Sequence, residues 1–360
     1  MAGAPVAGTR TPGAVRLSVA LLFVLSLVLV LTHEPASLAA EGPPGPRART
    51  AAAGSPGLVI PALPPLLPAP ITLLPGSPPP GQGTAPAVVA GLAGLNPYRG
   101  LATWIDVYDW SVTFTGGRPT VQPADVARMA AMGVQTLFIQ ASKHDSPTDV
   151  LEPERLNAFV SQARNLGMST VAWYLPTLVD VGRDLARLRA VAGVAGFDGL
   201  AVDIEARNVV DVAERSRRLI ELSQALRQAL PGRVIGAVVM PPVQLEVVNP
   251  RYWPSFPYRE IAPSYDVWMT MGYWTFRTSA SGYRDPYSYT KENVIRLRRN
   301  VGDPNLAVHP VGGIGTGTTA ADVEAYKRAI TDVGAFGGGL YDWNTTAPSL
   351  WPALGAMRLR

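Results

Sequence analysis

The chain has 360 residues, 47% of them apolar and only 16% charged, with a net charge of +4. That length and apolar content suffice for one large core, and the charges of both signs are mixed, without the concentrated basic stripe that nucleic-acid binding needs. There is no cysteine, which excludes disulfides, thiolate zinc sites and cysteine nucleophiles.

The N-terminus reads as an export leader. Arg10 and Arg16 precede an apolar run from Leu17 to Leu31, and Ser37-Leu38-Ala39-Ala40 supplies small residues for cleavage. The run is at the upper end for a signal-peptide core and short for a membrane span. Residues 1–40 are therefore expected to be a signal peptide or, if uncleaved, a membrane anchor. Either places the bulk of the chain outside the cytoplasm, secreted or tethered to the membrane. Residues 41–97 are Pro, Ala, Gly and Leu with almost no charge, as in Pro61-Ala62-Leu63-Pro64-Pro65 and Pro78-Pro79-Pro80. Proline at this density prevents helix and sheet, so an extended, disordered linker is expected.

From residue 98 to 360 short apolar runs alternate with amphipathic stretches. Strands are expected at Leu101–Tyr108, Val134–Ala141, Thr170–Leu175, Leu200–Glu205, Val234–Met240, Val267–Tyr273, Leu306–Val311 and Gly338–Trp343. Helices are expected at Pro123–Met132, Pro153–Leu166, Val181–Val191, Val212–Leu230, Lys291–Arg299, Ala320–Val333 and Ser349–Leu354. A long irregular loop through Tyr252, Trp253 and Tyr258 follows the fifth strand. This is an α/β pattern of eight strands, seven of them followed by a helix, in about 260 residues, the usual size of a (β/α)8 TIM barrel. An open doubly wound sheet is the competing architecture. It calls for a Gly-rich turn after the first strand, which Trp104–Trp110 lacks.

A barrel places its chemistry at the C-terminal ends of the strands. The most telling end is Asp198-Gly199-Leu200-Ala201-Val202-Asp203-Ile204-Glu205. Strand side chains alternate, so Asp203 and Glu205 face one way and Leu200, Val202 and Ile204 the other. Two carboxylates on an inward strand face are costly to bury unless they open into a wet cleft. Such a pair suits glycosidic bond cleavage, with Glu205 as general acid and Asp203, one pleat deeper, raising its pKa and orienting a substrate group. Other strand ends contribute Asp106 and Tyr108, Gln140, Trp173, Met271, Tyr273 and Trp274, and Asp342 and Trp343. The aromatic rings among them could stack on sugar faces. Trp104 and Trp268 are expected to be packing residues. His144 and His309 stand alone, so no metal site is expected, and no cofactor.

These residues carry a family resemblance. Asp198 to Glu205 resembles the DxxDxDxE signature of family 18 glycoside hydrolases, the chitinase family. The resemblance implies that Glu205 is the proton donor and that Asp203 orients the substrate's N-acetyl group, whose oxygen attacks in place of an enzyme nucleophile. Met271-Gly272-Tyr273 resembles the family's Met-x-Tyr-Asp segment on strand six, which implies that Tyr273 contacts the same acetamido group. Trp343 sits where the family carries its floor tryptophan. The chain departs from the pattern at Ala201, where the family has its middle Asp, and at Trp274, which follows Tyr273 in place of Asp or Asn. Ile105-Asp106-Val107 together with Val202-Asp203-Ile204-Glu205 is also similar to family 25 lysozymes, which cut peptidoglycan and need no middle Asp.

The expected activity is hydrolysis of β-linked, N-acetylated glycans such as chitin or peptidoglycan by a monomer whose partner is the polysaccharide. The membrane would be met only through the N-terminal segment. Two other classes compete. Ala201 and Trp274 favour a barrel that binds glycan without cutting it. Gly312-Gly313-Ile314-Gly315-Thr316-Gly317 after strand seven would suit a phosphate-binding lyase or isomerase.

Overall fold

The structure is a computed structural model that describes residues 92–357. The expected leader and the expected linker up to residue 91 lie outside the described residues. Eight strands, β1 (Gly100–Ile105), β2 (Thr136–Gln140), β3 (Ser169–Tyr174), β4 (Gly199–Ile204), β5 (Ile235–Val239), β6 (Val267–Thr270), β7 (Val311–Ile314) and β8 (Gly337–Tyr341), follow the order β6-β5-β4-β3-β2-β1-β8-β7. Every paired neighbour is parallel. Bridges from Trp268 to Val308 and from Met271 to Val311 join β6 to the β7 side and close the ring. The result is a (β/α)8 barrel. Its strands are near-continuous apolar runs because both faces are covered, by the barrel interior and by the helices.

The helices form on amphipathic stretches, several of them opened by a capping side chain. They are α1 (Val107–Trp110), α2 (Asp125–Ala131), α3 (Pro153–Asn165), α4 (Val181–Ala192), α5 (Val212–Ala229), α6 (Tyr258–Ile261), α7 (Pro286–Val301), α8 (Ala320–Asp332) and α9 (Trp351–Gly355). Asp180, Asp211, Asp285 and Thr319 each accept a first-turn amide of the helix that follows. α3 buries Leu156, Phe159, Val160 and Ala163, and α5 buries Leu219, Leu222 and Leu226, the stripes a helix must present to a sheet. Among the described residues no helix is long and apolar enough to cross a membrane.

The structure differs from the sequence expectation in four places. Residues 92–98, mostly assigned to the linker, form a 3-10 helix whose last residue, Tyr98, plugs the bottom of the barrel. Its hydroxyl donates to the carbonyls of Leu200 (2.6 Å) and Val234 (3.2 Å), over Gly199, where a Cβ would collide with it. β1 stops at Ile105 because Asp106 caps α1. The Asp106 side chain accepts the Tyr108 amide, and Asp109 accepts the Asp106 amide in return. β7 begins at Val311, just after Pro310, and runs through Gly312 and Gly313, which were expected in the loop after strand seven. Those glycines accommodate the Trp274 ring, which a Cβ on Gly313 would strike. The crossover after β5 contains a π-helical turn, Gln244–Val248, and the short α6. β8 closes on β1 at equally short range, with Gly339 against the Ala102 carbonyl, where no Cβ fits.

Candidate active site

The C-terminal ends of the strands converge on a narrow pocket with a cavity volume of about 20 Å³. Asp203 and Glu205 from β4 lie on one wall and Tyr341 from β8 on another. Trp104, Trp173, Met271 and Tyr273 supply most of the remaining lining, with Val238 and Val311 between them. Alternation along β4 places these two acids inside, while Leu200, Val202 and Ile204 face the helices. Ala201, the inward residue one pleat below Asp203, is fully buried. No carboxylate sits beneath the pair at that position.

The pair is electrostatically strained. Asp203 is 9% exposed, and its Oδ1 and the Oε2 of Glu205 have no hydrogen-bond partner. Burial, and then the charge of Glu205, hold the Asp203 carboxyl well above the usual carboxylate range. Burial pushes Glu205 up to about 7. Two carboxyl groups one pleat apart in so dry a place keep at least one proton between them near neutrality. Arg207, a candidate neutralising partner, lies instead over the Tyr252 ring, 5.1 Å from its centroid. Tyr252 in turn donates its hydroxyl to the backbone carbonyl of Glu205 at 2.6 Å, and Arg215 fixes the Tyr252 carbonyl at 2.8 Å. Glu205 follows the last ladder residue of β4, so this contact secures backbone that the sheet does not.

A second acidic group lies beside the pocket. Asp106, Asp109 and Asp342 are buried with carboxylate oxygens within 4.8 Å of one another. Burial raises the pKa of all three; Asp109 also feels Asp106, and Asp342 is pushed up to about 7. This is the one group among the described residues spaced to hold a metal ion. Its oxygens already accept hydrogen bonds: Asp106 from the Tyr108 amide and the Tyr341 hydroxyl, Asp109 from the Asp106 amide and Asn344, and Asp342 from the Thr345 amide. Three carboxyl groups buried this close together favour keeping at least one proton among them.

Of the residues singled out from the sequence, Asp203, Glu205, Trp173, Met271 and Tyr273 line the pocket, and Asp106 reaches it through Tyr341. The others lie elsewhere. Tyr108, on α1 and not on β1, is half-buried with its ring edge-on to Phe114 at 5.9 Å. Gln140 is a loop support: its Oε1 accepts the Val107 amide at 3.1 Å, and its carbonyl accepts the Trp110 indole at 3.1 Å. Trp274 is fully buried between the glycines of β7 and Tyr326 of α8, with ring centroids 5.3 Å apart. Trp343 packs on Trp351 at 4.9 Å and under Arg128, outside the pocket. Asp342 belongs to the second acidic group. Four pocket residues were not anticipated: the aliphatic Val238 and Val311, and the aromatic Tyr341 and Trp104. Tyr341 takes the β8 position expected of Trp343, because β8 ends at Tyr341 and its inward-facing series is Gly337, Gly339, Tyr341. Trp104, expected to be packing, stacks on Phe138 (4.0 Å) and also lines the pocket. Its place two residues before Asp106 is the period-two signal that could have found it. Trp268, by contrast, packs among Tyr258 and Tyr265 away from the pocket.

No protein-family model matches the chain, and no curated protein matches it in sequence. Its similarity is to solved structures. The spore cortex-lytic enzyme SleL of Bacillus cereus superposes with a TM-score of 0.53 at 9% identity, over 72% of this chain and 74% of that one. A family 18 chitinase from Cycas revoluta, in complex with allosamidin, gives 0.52 at 14% identity, over 71% and 98%. The endo-1,4-beta-D-mannanase of Thermotoga petrophila gives 0.51 at 10% identity, over 68% and 88%. At these identities the likeness is one of architecture: the chain carries the (β/α)8 barrel on which chitinase, mannanase and cortex-lytic enzyme are also built.

Proposed function

We propose that the chain is a glycoside hydrolase acting on β-linked, N-acetylated glycans of the chitin or peptidoglycan kind. The observation that carries the reading is the Asp203–Glu205 pair: two carboxyl groups with raised pKa values at the end of β4, each with one buried oxygen that has no hydrogen-bond partner, inside an aromatic pocket. Glu205 lies nearer the mouth and is protonated up to about pH 7, so it donates to the departing glycosidic oxygen. Asp203, one pleat deeper, accepts a hydrogen bond from a substrate N–H or O–H. Tyr273, two strands round the ring from the acids, steadies the same sugar. Trp173 and Trp104 supply flat apolar surface. The residues call for no cofactor. The residue types at these positions match the family 18 pattern at Asp198, Asp203, Glu205, Met271 and Tyr273. The N-terminal leader and Pro-rich tract suit a protein that meets polymeric glycan outside the cytoplasm, secreted or tethered.

Ala201 favours a second reading, a barrel that binds glycan without cleaving it, because the third acid of the family pattern is missing. Incubating the full-length chain and its Glu205→Gln variant with chitin and peptidoglycan fragments, followed by mass spectrometry and calorimetry, separates the two. Cleavage by the parent and none by the variant supports hydrolysis. Equal binding with no cleavage by either supports the second reading. Silence in both measurements refutes both.

A further inference from the structure

We propose that Tyr341, held by Asp106, faces Glu205 across the scissile bond and stabilises the positive charge that develops on the sugar. This rests on the hydrolase reading above. In a closed ring of eight strands β4 and β8 are diametrically opposed. Tyr341 therefore reaches the same pocket as Asp203 and Glu205 from the far wall.

The phenol is fixed on both sides. Its hydroxyl donates to Asp106 Oδ2 at 2.9 Å. Asp106 cannot swing away, because its Oδ1 accepts the Tyr108 amide at 2.7 Å and its own amide donates to Asp109 at 2.9 Å. The ring lies edge-on to Tyr273 at 6.0 Å and tilted against Trp104 at 6.3 Å. A phenol whose only proton is committed to a carboxylate can offer an entering ligand nothing but oxygen lone pairs. Bonding to an anionic acceptor strengthens that hydrogen bond and leaves the phenol oxygen more negative. Behind it stand Asp109 and Asp342, their carboxylate oxygens within 4.8 Å of one another and of Asp106. With a proton held among three acids the group still carries net negative charge, and it meets the pocket through the electron-rich oxygen of Tyr341.

Such a wall does little for a neutral sugar at rest. It acts when the glycosidic bond lengthens and the sugar carbon becomes cationic, while Glu205 delivers its proton from the other side. An interaction made mainly in the transition state appears in kcat and not in KM. A plain strap between β8 and β1 would instead appear in thermal stability. Tyr341 is therefore assigned a catalytic role and Asp106 a positioning role.

The test is steady-state kinetics of the full-length chain on the glycan fragments that the parent cleaves, with melting temperature measured in parallel. Tyr341→Phe keeps the ring and removes the oxygen; kcat is expected to fall roughly 100-fold, with KM within about twofold of the parent. Asp106→Asn keeps the phenol and removes the anionic acceptor; a fall of roughly tenfold in kcat is expected. Parental kcat in Tyr341→Phe, or a loss confined to KM, overturns the proposal. If that variant does not fold, parental kcat in Asp106→Asn overturns it equally. A parent that cleaves no glycan sinks the hydrolase reading and this inference together, whereas an active parent beside an equally active Tyr341→Phe sinks this one alone.

Discussion

Replacing Glu205 by Gln should stabilise the protein at alkaline pH and leave it unchanged in acid. Burial raises this carboxyl from 4.5 to about 7 in the folded chain. Below pH 4.5 both folded and unfolded forms are protonated, and the group costs nothing. As pH rises further the unfolded chain releases its proton while the folded chain retains it, so stability present in acid is lost progressively until about pH 7. At about 1.4 kcal/mol for each tenfold change, the loss comes to about 3 kcal/mol. Glutamine preserves the shape and cannot ionise, so above pH 7 the variant should exceed the parent by that amount. Asp203 adds to the gain, since part of its own elevation comes from the charge of Glu205. For a domain of this size each kcal/mol is worth roughly 2–4 °C, which sets an expected melting-temperature gap of roughly 6–12 °C at about pH 8.5, closing near pH 4. Thermal unfolding followed by circular dichroism across that range measures it without any substrate. Parallel melting curves, or a gap widest in acid, would refute the assignment of a strained pair.

Tyr252→Phe removes the hydroxyl that holds the Glu205 carbonyl at 2.6 Å; a loss of about 1 kcal/mol in transition-state stabilisation is expected, seen as a several-fold drop in kcat/KM with the fold intact. Gly339→Ala drives a methyl group into the Ala102 carbonyl across the β1–β8 seam; it should destabilise the barrel by more than about 3 kcal/mol, read from urea unfolding, and a loss below 1 kcal/mol would mean the seam can open.

The barrel was legible because its signal is redundant. Each buried strand is a short apolar run, several helices begin at a cap such as Asp180, Asp211 or Thr319, and eight repetitions leave few alternatives. The β4 acids were legible from period two alone. The reading failed where backbone chemistry outranked side-chain pattern. Gly312 and Gly313 look like loop because glycine is a poor strand former, yet β7 needs them so that the Trp274 ring can lie against the chain. Asp106-Val107-Tyr108-Asp109 reads as a continuing strand until the reciprocal cap between its two aspartates is recognised, and that cap turns Tyr108 out of the pocket. Trp343 drew attention as the tryptophan at the expected end of strand eight, but β8 ends two residues earlier and gives the pocket Tyr341. Tyr98 carried no signal of its own, since plugging the barrel depends on Gly199 and the carbonyls of Leu200 and Val234, all distant in sequence.

The glycines of β7 and β8 make the barrel wall unequal around its circumference. From β2 to β5 the wall is lined largely by side chains that can shift rotamer when a neighbour changes. Along Gly312-Gly313 and Gly337-Gly338-Gly339 the main chain itself is the packing surface, and main chain has no rotamer to adjust. Substitutions accumulating at random would be absorbed on one flank and rejected on the other, so a map of tolerated change drawn on this ring would show a crescent of intolerance along the seam that carries Tyr341.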